Sequence, residues 1–112
     1  MRVAADQISS PTYNVDLARA TVELCERDAR GVYHLAGDGI LDRHAFARLA
    51  CEVFGLDCSR VTPVTTASFN QKAARPLVAG LRIDKAKGLL TTTLRSPEQG
   101  LRAMREALDG AR

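Results

Sequence analysis

The stretch from Tyr13 to about Asp28 constrains the fold of this chain more than any other feature. Its charged residues recur at helical spacing and form one narrow stripe: Asp16, Arg19, Glu23 and Glu26. Most of the remaining circumference is apolar: Val15, Leu17, Ala18, Ala20, Val22, Leu24 and Cys25. A helix that is apolar over so wide an arc is covered on more than one side. The pattern therefore predicts a helix inside a layered α/β protein, with Thr12 as its N-cap residue.

A nearly continuous apolar run from Val32 to Ala36 follows this helix, after Gly31. Such a run is typical of a strand that is buried on both faces of a parallel sheet, which needs neighbouring strands and covering helices. The other strand candidates are short: Arg2–Ala5, Arg60–Thr65 with Pro63 inside it, and Leu81–Ile83. These are too few for a complete doubly wound sheet. We therefore expect the chain to be part of a larger fold or to dock on another chain.

Three further helices are indicated by their boundary residues. Asp42 caps a second helix that ends at Gly55, Asp84 caps a short third helix, and Ser96–Gln99 is a capping box that opens the last one. The second helix has apolar residues at helical spacing: Phe46, Leu49, Ala50, Val53 and Phe54. The polar segment Thr66–Gly80 has the length of a binding loop.

Composition narrows the class of protein. The 112 residues allow one domain, and no apolar run approaches the roughly 20 residues that span a bilayer. The net charge is +3, but the basic residues are scattered without interleaved aromatic residues, so we expect neither nucleic acid nor a membrane as partner. An odd count of three cysteines, with Cys25 and Cys51 on apolar helix faces, indicates reduced core thiols in a cytoplasmic protein.

No catalytic constellation is complete in this sequence. A G-x-G-x-x-G phosphate loop is absent, and Gly37-Asp38-Gly39 is interpreted as a tight turn. His34 lies in the apolar run and is interpreted as a satisfied core or edge histidine. The histidines lack ligand spacing to any cysteine. We therefore predict no catalytic residue and no metal ligand within the chain.

Two residues stand out as candidates for binding. Gln7 follows the first strand candidate and offers both a donor and an acceptor, and the next helix N-terminus favours an anion. The alternative is that Asp6, Ser9 and Ser10 only hold the turn together. Arg75, in the long loop, has the chemistry to clamp a diphosphate bidentately. Its alternative is an ordinary solvated cation.

The segment Asp6–Thr12, followed by Gly31–Gly37, resembles the C-terminal half of the dTDP-4-dehydrorhamnose reductases, which are extended short-chain dehydrogenases/reductases. The resemblance continues in order through Val61–Thr66, Ala74–Pro76 and Leu81–Ala86. It implies the C-terminal part of an NAD(P)-binding, Rossmann-like α/β fold, with short parallel strands and three to four helices. Residues 1–112 would form a single sugar-nucleotide-binding domain, a fragment without the N-terminal cofactor-binding domain.

The resemblance also implies a function. The family reduces a 4-keto sugar on a dTDP carrier with NAD(P)H, which would bind outside this chain, so no cofactor is expected for the fragment itself. Gln7 and Thr12 would line the crevice near the sugar nucleotide, and Arg75 would face its diphosphate. The expected partners are a dTDP-sugar and either a second copy of the chain or the cofactor domain, paired through Arg2–Gln7.

The chain also departs from that family. Its catalytic Tyr-x-x-x-Lys is absent, since Tyr13 is followed four residues later by Leu17 and Tyr33 by Gly37. Ser9 stands where the family has glycine. We therefore expect no hydride transfer by this chain alone. Two alternatives remain: a non-catalytic regulatory or protein-interaction module on the same scaffold, and another sugar-nucleotide epimerase or dehydratase.

Overall fold

The computed structural model describes residues 1–111, which form four short strands and four helices. The strands are β1 (Arg2–Ala4), β2 (Ile8–Ser9), β3 (Leu41–Asp42) and β4 (Thr62–Val64). The helices are α1 (Asn14–Glu26), α2 (Arg43–Phe54), α3 (Asp84–Leu89) and α4 (Pro97–Gly110). This content confirms the predicted α/β class and the predicted number of helices. The helices within residues 1–111 include none whose length and apolar character would let it cross a bilayer.

Strands β1 and β4 pair in parallel and confirm two of the strand predictions. Arg2 lies opposite Thr62, and Ala4 lies opposite Val64. Pro63 has no amide hydrogen to donate to a ladder, so it suits the edge position that it occupies. Within residues 1–111, β1 has no strand on its other edge. Its expected pairing with another chain stays a prediction. Strands β2 and β3 form a separate antiparallel pair, which the sequence did not indicate.

The predicted strand at Val32–Ala36 is wrong for this structure. The run pairs with no strand among residues 1–111. Val32 is 74% exposed, although Ala36 is buried. A strand buried on both faces needs hydrogen-bonded neighbours, and the described chain supplies none here. His34 is exposed, so the prediction of a core or edge histidine is also wrong.

The predicted strand at Leu81–Ile83 is also wrong, because its first amide is bonded to a distant side chain. The amide of Leu81 donates to the Ser10 hydroxyl at 2.9 Å instead of to a neighbouring strand. Asp84 is the first residue of α3 rather than its cap, and its carboxylate pairs with Arg82 at 3.2 Å. The segment therefore ties the start of α3 to the turn after β2.

The start of α1 also differs from the prediction. Tyr13 occupies the N-cap position, without a side-chain cap. The Thr12 hydroxyl donates to the Ser10 carbonyl at 2.9 Å and accepts from the Gly37 amide at 3.0 Å. Thr12 is therefore not a helix cap, because its hydroxyl holds two loops together instead.

Two members of the charged stripe of α1, Asp16 and Glu23, face the protein, although Arg19 and Glu26 are exposed, and much of the apolar side faces solvent. Asp16 is buried and Glu23 bonds to a neighbouring turn, whereas Val22 is 56% exposed. The two carboxylates find backbone amides as donors inside the fold, and such charge-assisted bonds are strong. The sequence predicted that α1 is covered on more than one side, and residues 1–111 do not provide this cover.

Cys25 is exposed and is not a core thiol, whereas Cys51 is buried as predicted.

Lowering the pH is expected to destabilise the protein through Glu23. Hydrogen bonds from Thr92 and Thr91 hold the pKa of this carboxyl well below its ordinary value of 4.5. A pKa depressed by folding gives stabilisation that is present above 4.5 and is lost as the pH falls below it. Thermal unfolding of the wild type and of Glu23→Gln at about pH 7 and about pH 3 tests this. The wild type should lose more of its Tm between the two conditions, and equal losses would contradict the assignment.

The capping predictions for α2 and α4 are confirmed. The Asp42 carboxylate accepts from the Ala45 amide at 2.8 Å, and Gly55 ends α2 in the left-handed conformation. Ser96 and Gln99 form the reciprocal capping box of α4. The small buried core is aliphatic and joins Ala20 of α1 to three residues outside the helices: Ala36, Ile83 and Leu94.

Candidate functional site

The turn after β1 is held to the turn after β4 by one carboxylate. The Asp6 Oδ1 accepts from the Thr66 amide at 2.9 Å and from the Thr66 hydroxyl at 2.6 Å. The side-chain bond from Thr66 is the main reason that the pKa of Asp6 is lowered. Asp6 therefore does hold the turn together, as one of the two interpretations of this segment proposed. The next residue, Gln7, lines the groove described below.

Gln7 is nearly buried, with 7% of its surface exposed, and both ends of its amide have partners. Its Nε2 donates to the Thr66 hydroxyl at 3.1 Å. Its Oε1 accepts from an Arg43 guanidinium nitrogen at 3.5 Å, a long contact, and its backbone carbonyl accepts from the Arg43 amide at 3.1 Å. Gln7 thus joins β1, the turn after β4 and the first turn of α2.

These residues form one wall of a groove of about 530 Å³, which we call the β1 groove. The residues that line it include Arg2 and Gln7, Arg43 and Phe46 of α2, and Phe69. No aspartate or glutamate is among the described residues that line it. The β1 groove therefore combines two guanidinium groups, the side-chain amides of Gln7 and Gln71, and two aromatic rings, without an opposing acid among its described lining residues.

A second, smaller groove of about 280 Å³ lies beside the first. It is mainly apolar and runs between the segment Pro11–Asn14 and α4. Thr12 lies in this groove, and Pro11 and Phe46 line both grooves. The structure thus places Gln7 and Thr12 at adjacent sites. Whether either contacts a ligand stays a prediction.

Arg75 lies apart from these two residues. It is exposed on the long loop and is not among the residues that line either groove. Its predicted contact with a diphosphate stays a prediction.

Three residues that line the β1 groove were not singled out from the sequence: Arg2, Arg43 and Phe69. The contact of Arg43 with Gln7, for example, depends on the pairing of β2 with β3.

The glycine pair after the predicted strand forms the expected tight turn. The Gly39 amide donates to the Gly37 carbonyl at 3.0 Å. A Cβ on Gly37 would lie 2.0 Å from the Pro11 carbonyl oxygen, so this glycine is required by a close approach of protein backbone. A phosphate has no room there. Gly37 is thus packed against protein backbone rather than open to a ligand.

Comparisons with known proteins agree with this arrangement. The family model described as the RmlD substrate binding domain matches residues 1–109. A dTDP-4-dehydrorhamnose reductase of Mycobacterium tuberculosis is 41% identical over 80 residues, which cover 70% of this chain and 26% of that protein. The reductase of Mycolicibacterium smegmatis is 32% identical over 110 residues, covering 97% of this chain and 34% of that protein.

Solved structures give the same result. A dTDP-4-dehydrorhamnose reductase from Bacillus anthracis, in complex with NADP, matches with a TM-score of 0.86 and 29% identity, over 96% of this chain and 38% of that one. The orthologue from Clostridium acetobutylicum matches with a TM-score of 0.87 at 29% identity, over 97% of this chain and 39% of that one. The chain spans between a quarter and two fifths of the length of these relatives. The resemblance found in the sequence is thereby confirmed, and the chain belongs to the RmlD substrate binding domain family.

Proposed function

We propose that this chain binds the sugar nucleotide in a dTDP-4-dehydrorhamnose reductase-like oxidoreductase that reduces a 4-keto sugar. The match of the RmlD substrate binding domain over residues 1–109 carries this proposal. The similarity to the Mycobacterium tuberculosis reductase supports the choice of a dTDP-linked sugar. Residues 1–112 act as a single substrate-binding domain in this account.

The β1 groove supports the proposal on chemical grounds. A sugar nucleotide carries a doubly charged diphosphate between a sugar and a planar base. Arg2 and Arg43 supply positive charge, the amide of Gln7 is held in place, and Phe46 and Phe69 supply flat apolar surface. Guanidinium groups match phosphate geometry, and aromatic side chains suit planar rings.

The reduction also needs groups that residues 1–111 do not provide. NAD(P)H supplies the hydride and, in this proposal, is bound outside this chain, as the tight packing at Gly37 suggests. The role of this chain is to bind and orient the sugar nucleotide. The partner that completes the site is a cofactor-binding domain or a second copy of the chain, paired through the open edge of β1. We place this assembly in the cytoplasm.

Calorimetric titration of the protein with dTDP-rhamnose tests the proposal. A saturable heat is expected, because the ligand has the diphosphate and rings that the β1 groove accommodates. Free rhamnose is the control, since it lacks the diphosphate and should give no saturable heat. Absence of binding by dTDP-rhamnose would contradict the proposal and would favour a non-catalytic module.

A further inference from the structure

Two arginine side chains in the β1 groove have no carboxylate partner. Neither Arg2 nor Arg43 takes part in an ion pair within residues 1–111, although many other arginines of the chain do. Arg95, for example, is 3.1 Å from the Asp16 carboxylate. Two cations that share a groove without an acid repel each other and raise the local positive potential. The groove is therefore suited to an anion.

Both side chains are held by neutral groups, which leaves much of each guanidinium free to donate. One Arg2 nitrogen donates to the Ser68 hydroxyl at 3.1 Å, and the Arg2 guanidinium carbon lies 5.3 Å from the centre of the Phe69 ring. The backbone amide of Arg43 donates to the Gln7 carbonyl, and the Arg43 side chain makes only the long 3.5 Å contact to the Gln7 amide oxygen. A guanidinium has five N–H donors in a fixed fork. Most of these donors remain available at both residues.

We propose that Arg2 and Arg43 clamp the diphosphate of the nucleotide across the β1 groove, with Phe69 as the flat wall beside it. The identity of the ligand rests on the function proposed above, whereas the anion-binding character rests on the residues that line the groove. The diphosphate contact is thereby assigned to these two residues rather than to Arg75, which does not line the groove. The two charges of the ligand replace the carboxylates that the arginines lack.

Variants Arg2→Gln and Arg43→Gln test the clamp by calorimetry at low salt. The probes are inorganic diphosphate and dTDP-rhamnose. Each variant is expected to weaken binding of both probes about tenfold or more, since a hydrogen bond to a charged group is lost. The matched control is Arg48→Gln, because Arg48 is an exposed arginine on α2 outside the groove, and it should change affinity less than about twofold. A urea unfolding curve for each variant verifies that it is folded.

The outcomes separate this inference from the proposed function. If the wild type binds dTDP-rhamnose and both groove variants bind as tightly as Arg48→Gln, the clamp is wrong and the proposed function stands. A tenfold loss in Arg75→Gln without loss in the groove variants would likewise overturn the clamp. If diphosphate binds in an Arg2- and Arg43-dependent manner but dTDP-rhamnose does not bind, the clamp is supported and the proposed function fails. If the wild type binds neither probe, both fail.

Discussion

Replacing Asp16 with Ala is expected to lower the free energy of unfolding by about 3 kcal/mol. The Asp16 side chain is only 4% exposed and accepts from the Arg95 guanidinium and from the Arg95 amide, both at 3.1 Å. Removing one partner of a buried ion pair leaves the other charge, and here also a backbone amide, without its acceptor. Arg95 is 35% exposed and can regain some water, so the expected loss lies at the lower end of the range for buried pairs.

The control for Asp16 is an ion pair on the surface of the same protein. Glu98 pairs with Arg102 at 2.8 Å, and both side chains are at least half exposed. Replacing Glu98 with Ala should cost about 0.5 kcal/mol, because water and side-chain entropy offset most of such a contact. Urea unfolding of both variants gives the comparison. Similar losses for the two would contradict a stabilising role for the buried Asp16–Arg95 pair.

Replacing Gly37 with Ala is expected to destabilise the protein by about 3 kcal/mol. The new Cβ would lie 2.0 Å from the Pro11 carbonyl oxygen, a distance at which the backbone must move. That movement would also stretch the 3.0 Å hydrogen bond from the Gly37 amide to the Thr12 hydroxyl. The turn that connects β2 to α1 would therefore lose one of its tertiary contacts.

The matched control is Gly88→Ala in α3. A Cβ at Gly88 meets no atom within 4 Å, and alanine favours a helix over glycine. This substitution should be neutral or stabilise by up to about 1 kcal/mol. Both variants are compared by urea unfolding. A Gly37→Ala variant as stable as the wild type would show that the two loops are not held in close contact.

The features that the sequence predicted well depend on residues only a few positions apart. The Asp42 cap, the left-handed Gly55 and the Ser96–Gln99 capping box are of this kind, and all three are confirmed. Their hydrogen bonds form within one turn of helix, so local residue types determine them. Distant parts of the chain have little influence on such contacts.

The predictions that were wrong depend on distant partners. Val32–Ala36 has the composition of a buried strand, but a strand also needs a neighbour, and residues 1–111 place none beside it. Thr12 is of a residue type that often caps helices, but its hydroxyl accepts from the amide of Gly37, 25 residues away. For α1, the wide apolar arc predicted cover on more than one side, whereas Leu17 and Val22 are exposed and the buried Asp16 bonds to Arg95, 79 residues away.

The candidate site was predictable in part. Gln7 was singled out from its place after a strand, and it does line the β1 groove. Arg2 and Arg43 gave no local signal, because they share the groove only through the folding of β1 against α2 and the pairing of β2 with β3. Arg75 was singled out from its residue type and loop position as well as from the family resemblance, and the structure places it on an exposed loop, outside the lining of both grooves.

Mapping the binding of dTDP-rhamnose by amide chemical shifts on isotope-labelled protein tests the central claim most directly. Binding of a sugar nucleotide in the β1 groove predicts saturable shifts of the amides of Gln7, Ser9, Arg43 and Phe69, with little change at the distant Arg102 and Asp109. Saturable shifts that cluster away from the β1 groove, or no shifts at all, would contradict the account.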